Sequence, residues 1–177
     1  ALLEQSNDSD CDGLVNEEDS CPDDPLNDLD GDGICGGEDS ICNGDFEIGG
    51  PDSQKDIILL SQCSEIEGSL AVQDATVHTL VGLENLVAIS GNLAVLENPA
   101  LTSLEGLGSL ASIGGYLAIE NNDAFMGVDS LDSLAAVGGS LLVSSNPRLA
   151  HVDGFSSLET IGGYLKLIEI PLLGISG

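Results

Sequence analysis

Residues 113–134 read IGGYLAIENNDAFMGVDSLDSL, and residues 137–158 read VGGSLLVSSNPRLAHVDGFSSL, the same pattern 24 positions on. Outward from this pair, the leading residue recurs as Ile66, Ile89, Ile113, Val137 and Ile161, at intervals of 23, 24, 24 and 24. Glycine stands two residues on, at Gly68, Gly91, Gly115, Gly139 and Gly163. Four on come Leu70, Leu93, Leu117, Leu141 and Leu165, and six on come Val72, Val95, Ile119, Val143 and Leu167. One step of 24 back from Ile66 lands on Cys42, with Gly44, Phe46 and Ile48 in the matching columns. Repeats of this period identify a stacked architecture, with units beginning at 42, 66, 89, 113, 137 and 161, the sixth incomplete.

Spacing inside each unit predicts its local structure. Apolar residues at +4 and +6 alternate, as in a strand with one buried face. Later columns (Leu101, Phe125, Leu149; Leu104, Val128, Val152; Leu107, Leu131, Phe155; Leu110, Leu134, Leu158) fall every third residue, which suits a turning return path. The glycine column marks a bend where a Cβ would clash. Asn98, Asn122 and Asn146 recur where the strand ends, and an inward Asn there bonds free backbone groups of adjacent units. An array of amphipathic helices is excluded, because Gly114–Gly115, Gly138–Gly139 and Gly162–Gly163 interrupt it. The expected fold is therefore mainly β: a right-handed parallel β-solenoid over 42–177, preceded by an irregular segment over 1–41.

Composition agrees with thin stacked layers. The 177 residues are 42% hydrophobic but only 3% aromatic, with no Trp and 23 Gly. Thirty-one acids against 3 bases give a formal charge of −28. That field excludes phosphate-backbone binding and an anionic membrane surface. No apolar run reaches the roughly 20 residues of a membrane span. The opening Ala1-Leu2-Leu3-Glu4, without an initiator Met or basic region, reads as a mature form. Five cysteines, four of them within 11–42, favour an oxidising, extracellular or cell-surface setting.

Charge divides the chain in two. Residues 1–45 hold 15 of the 31 acids and no Lys or Arg, whereas Lys55, Arg148 and Lys166 all lie beyond. So few apolar residues cannot order such a segment by burial. Within it, Asp8, Asp10 and Asp12 precede Gly13, Leu14, Asn16 and Asp19. Twenty residues on, Asp28, Asp30 and Asp32 precede Gly33, Ile34 and Asp39. Oxygens at loop positions 1, 3, 5 and 12, a turning Gly at 6 and a carbonyl at 7 (Leu14, Ile34) suit Ca²⁺, which takes six to eight oxygens. The bland reading is a solvated acidic linker. Pro22 and Pro25 exclude the second helix of an EF-hand.

The run D-x-D-x-D-G…D-x-C-P, over about 8–42, resembles thrombospondin type 3 repeats and similar calcium stalks of bacterial surface proteins. The phrase I-x-G-x-L-x-I with N-P-x-L-x-x-L-x-G-L-x-x-L, over about 42–177, resembles the leucine-rich L domain of insulin-type and epidermal-growth-factor-type receptors. It is also similar to bacterial and fungal surface proteins built on that unit. That family commonly brackets its first coil with a Cys pair, and Cys42 and Cys63 stand in those places. Five cysteines allow 15 arrangements of two bonds. The expected pairs are Cys42–Cys63, on the resemblance, and Cys21–Cys35, with Cys11 the odd one. The chain departs from the family in lacking a C-terminal capping helix or closing Cys.

Catalytic constellations are sparse. His78 and His151 lie three units apart, each read as a surface-turn residue without a nucleophile beside it. Glu105, Asp129 and Asp153 form a column that suits a cation or an acid/base pair, or, more plainly, turn carboxylates bonding backbone amides. The enzyme alternative is a calcium-dependent β-helix polysaccharide lyase or other glycan-active enzyme, but Arg148 and Lys166 sit in different columns. Asn7-Asp8-Ser9 is a glycosylation sequon that overlaps the first metal ligand.

The outward strand face is more informative. Its positions read Ser69, Ala71, Gln73; Asn92, Ala94, Leu96; Tyr116, Ala118, Glu120; Ser140, Leu142, Ser144; Tyr164, Lys166, Ile168. Both tyrosines lie on this nearly uncharged face, which marks a contact surface, or a sheet covered by a loop of the same chain. Beyond Ile168, Leu172 and Leu173 continue an apolar, uncapped last unit, an open template for a neighbour. Docking of Ala1-Leu2-Leu3 there would join copies head to tail. The expectation is a non-enzymatic extracellular calcium-binding protein for adhesion or self-assembly, its partner another copy, a surface protein or a glycan.

Overall fold

Alternation within each unit and a 24-residue step between units produce two parallel sheets. The computed structural model describes residues 41–168. One sheet is built from β1 (Ile41–Asn43), β3 (Glu65–Glu67), β5 (Ala88–Ile89), β7 (Ser112–Ile113), β9 (Ala136–Val137) and β11 (Thr160–Ile161), in that order. The other is built from β2 (Phe46–Gly49), β4 (Leu70–Gln73), β6 (Leu93–Leu96), β8 (Leu117–Glu120), β10 (Leu141–Ser144) and β12 (Leu165–Ile168), again in sequence order. Each unit therefore gives one strand to each sheet. The register follows the sequence columns: Cys42 pairs with Ile66, Ile66 with Ile89, Phe46 with Leu70, and Ile48 with Val72. The unit placed at Cys42 by extrapolation is thus the first member of both sheets.

Between the sheets lies one continuous aliphatic core. Leu70, Val72, Leu93, Val95, Leu117, Ile119, Leu141 and Val143 are fully buried, each contributing about 1.5–3 kcal/mol. The every-third-residue columns form the third side. Leu101, Leu104, Leu107 and Leu110 are buried, and the later members bond three apart, Leu107 N–H to Leu104 O at 3.0 Å and Leu110 N–H to Leu107 O at 3.1 Å. These are tight 3₁₀-like turns, not strands.

Backbone crowding explains the glycine column. A Cβ on Gly68 would collide with the carbonyl of Gly44 in the preceding unit. Leaving each of four strands, the chain turns through a left-handed residue that is not glycine: Asp74, Glu97, Asn121 and Ser145, with φ from 52° to 58°. The next residue in the last three cases is the recurrent asparagine, which is buried. Asn98 Nδ2 donates to Val72 O at 2.8 Å, and its Oδ1 accepts from Ala75 N–H at 2.9 Å. The structural role read from the sequence is the observed one.

The first unit departs from its successors. After a 3₁₀ turn at Gly50–Asp52, with Pro51 at its start, helix α1 (Ser53–Leu60) replaces the three-residue path. Its buried residues Ser53, Ile57 and Leu60 follow helical spacing, and it packs on β2. Asp56 Oδ2 accepts the Gly49 N–H at 3.0 Å, tying helix to strand. The Cys42–Cys63 disulfide is present, with Cα atoms 5.7 Å apart. Ile48 is 0% exposed beside α1, whereas Leu165 and Leu167, in core columns of the last described unit, are 57% and 42% exposed.

Candidate functional site

The outer face of the β2–β12 sheet carries the candidate site. Parallel register aligns Tyr116, Ser140 and Tyr164, each just ahead of its strand, in one column. Adjacent strands lie about 4.8 Å apart, so the two tyrosines stand about 10 Å from one another along the stack. Both are exposed, Tyr164 more than Tyr116. Between them, Leu96, Ala118, Glu120, Ser140 and Leu142 complete a groove of about 370 Å³. A second groove of about 340 Å³ continues past Tyr116 over Ala94, Asn92, Ala71 and Ser69 to Asp45 and Glu47. Tyr116 lines both, so the two shallow grooves meet at this tyrosine and together form a trough along the face.

The floor is set by side-chain size. Ala94 and Ala118 point outward by strand alternation, yet are only 8% and 6% exposed, because taller neighbours flank them. Leu142 takes the same column further on, and Lys166 pairs beside it. One wall has a second duty that the sequence reading missed. Asp45 Oδ1 accepts the Ser69 N–H at 2.7 Å, and Ser69 Oγ accepts the Asn92 N–H at 3.1 Å. Asn92 Oδ1 accepts the Tyr116 N–H at 3.0 Å, and Ser140 Oγ accepts the Tyr164 N–H at 3.2 Å. Short polar side chains in this column lock four junctions between units, and they hold the backbone of both tyrosines. The signal available in the sequence was the column Asp45, Ser69, Asn92, Tyr116, Ser140, polar at every member but the tyrosine.

The carboxylate column is less organised. Glu105 and Asp129 line a separate groove with Glu84 and Asp132, which does not include Asp153. Asp129 Oδ1 lies 2.8 Å from His151 Nδ1, an exposed pair. The turn-carboxylate pattern occurs instead at Glu84, whose two oxygens accept the Gly82 N–H at 3.0 Å. His78 holds Thr102 through its backbone carbonyl, three units from His151's pairing.

Several expected site residues lie outside the described residues. These are the calcium ligands Asp8, Asp10, Asp12, Leu14, Asn16, Asp19, Asp28, Asp30, Asp32, Ile34 and Asp39, the cysteines Cys21 and Cys35, and Leu172 and Leu173. Of the expected contact residues, the structure brings Tyr116, Tyr164, Leu96 and Leu142 into one groove, while Ile168 stands exposed at the sheet edge. Among the described residues, no helix is long and apolar enough to cross a membrane. No protein-family model matches the chain, and no curated protein matches it.

Proposed function

We propose that this chain is a non-enzymatic extracellular interaction protein, a right-handed β-solenoid of the receptor L-domain kind carried on a calcium-binding acidic segment. The observation that supports this reading most is the trough around Tyr116 and Tyr164. In a protein of formal charge −28, two exposed tyrosines, two leucines and an alanine share one groove with a single carboxylate, Glu120. Exposed apolar surface with a polar rim is the usual form of a binding site. The Cys42–Cys63 bond is compatible with an extracellular setting. The calcium segment rests on its two ligand patterns alone.

The test is a binding panel of defined extracellular molecules: neutral and acidic glycans, a fibrillar matrix protein, and the chain itself. Leu142→Arg places a charge in the middle of the trough. Loss of a panel ligand in that variant supports the reading. A ligand retained at full affinity by the variant places binding elsewhere and overturns it.

Head-to-tail self-assembly is a second reading, favoured by the exposure of Leu165 and Leu167 in columns where Leu141 and Val143 are fully buried. Light scattering at micromolar concentration decides it. A monomer both in calcium and in chelator removes self-assembly.

A further inference from the structure

We propose that the trough binds a neutral β-1,4-linked polysaccharide chain laid along the stack, across the strands. The inference rests on reading this face as an interaction surface, and it names the ligand class. Three features of the face select that ligand. The first is spacing. An extended β-1,4-linked chain advances by about one strand separation per sugar, about 5 Å, and presents the same ring face at every second residue. Tyr116 and Tyr164 stand two strand steps apart in one column, with the smaller Ser140 between them. Each tyrosine therefore meets the apolar C–H face of an alternate sugar, while Ser140 leaves room for the ring between.

The second feature is shape. A polysaccharide chain needs a shallow, open channel; Ala71, Ala94 and Ala118 keep the floor of the trough low as far as β8, and Leu142 raises it beyond. Its parts share Tyr116 and extend from Asp45 to Tyr164, across six strands. The third is charge. Asp45, Glu47 and Glu120 line the trough, and Lys166, paired with Leu142, is the base on this face among the described residues. Three carboxylates against one ammonium repel uronate and sulfate groups, yet accept hydrogen bonds from the vicinal hydroxyls of a neutral sugar. A rigid aromatic with a polar tip suits a ligand that is apolar on one face and hydroxylated at its rim.

Isothermal titration of the full chain with cello-, manno- and N-acetylated chito-oligosaccharides tests this, with oligogalacturonate as the acidic comparator. Binding of at least one neutral series is expected, strengthening with chain length until both tyrosines are spanned. Tyr116→Ala and Tyr164→Ala should each weaken it about tenfold, while Tyr164→Phe, which keeps the ring, should retain it. Circular dichroism checks folding; should Tyr116→Ala misfold, the more exposed Tyr164 carries the test. No binding of any neutral series, equal binding by the double Ala variant, or preference for oligogalacturonate overturns the proposal. A protein ligand, or the chain itself, lost in Leu142→Arg without any glycan binding overturns the glycan assignment and leaves the interaction reading standing.

Discussion

The side-chain Oδ1 of Asn122 accepts two hydrogen bonds from Asn98, one from its backbone N–H and one from Nδ2, both at 3.0 Å. The same relation recurs one unit on, where Asn146 Oδ1 accepts from Asn122 N–H and Nδ2, both at 3.1 Å. Each Nδ2 also reaches a strand carbonyl of the preceding unit, Val95 O from Asn122 and Ile119 O from Asn146. The ladder satisfies the polar groups freed where the chain leaves the sheet through a left-handed residue. In an apolar core, unmet groups of that kind are costly.

Asn122→Ala is accordingly expected to lower stability by about 2–4 kcal/mol, because it leaves the buried Asn98 N–H without its acceptor and removes the side-chain bonds to Asn98 Nδ2 and Val95 O. Urea unfolding with an unchanged slope measures the loss. A change below about 0.5 kcal/mol would show that water replaces the side chain.

Two neighbouring glycines should respond oppositely to alanine. Gly106 has φ of +113°, and a Cβ there would strike the Leu80 carbonyl, whereas Gly108 has open space around its Cβ position. Gly106→Ala should destabilise by more than about 2 kcal/mol. Gly108→Ala should be neutral, or stabilise by about 0.4–1 kcal/mol by restricting the unfolded chain. Thermal unfolding of the two variants side by side checks the contrast.

Removing the disulfide should cost about 3 kcal/mol, since Cys42 and Cys63 close a loop with a sequence separation of 21. The expected consequence is local: α1 and the first unit lose amide protection before Leu117 or Leu141. Hydrogen exchange of Cys42→Ala/Cys63→Ala, with peptide mapping of the unreduced parent, reads both. A map linking Cys42 to Cys35 would detach that cysteine from the first unit.

Calcium is expected at the two acidic loops, about two ions with affinities near 10⁻⁴–10⁻³ M. Asp10→Ala with Asp30→Ala should abolish most of the calorimetric signal. Unchanged stoichiometry in that double variant would exclude the assignment.

Much of the molecule is legible in its periodicity. The spacing of Ile66, Gly68, Leu70 and Val72 fixes which residues share a register, because stacked units repeat one local geometry and a buried column accepts only apolar side chains. Even the unit at Cys42 follows by subtraction. Helix α1 is different: it occupies one unit only, so no column announces it, and Ser53, Ile57 and Leu60 reveal it only through helical spacing.

Sequence by itself determined the alternating strands, the three-residue turns, the inward asparagines and the placement of both tyrosines on one outward face. Those follow from residue type and chain spacing, which are local properties. The tertiary structure decided what no single unit contains. It turned Asp45, Ser69, Asn92 and Ser140 from surface polar residues into acceptors for the next unit's backbone, and it sank Ala94 and Ala118 beneath their neighbours. It also paired Asp129 with His151 across 22 residues. Each of these depends on distances between units, which exist only once the sheets have stacked.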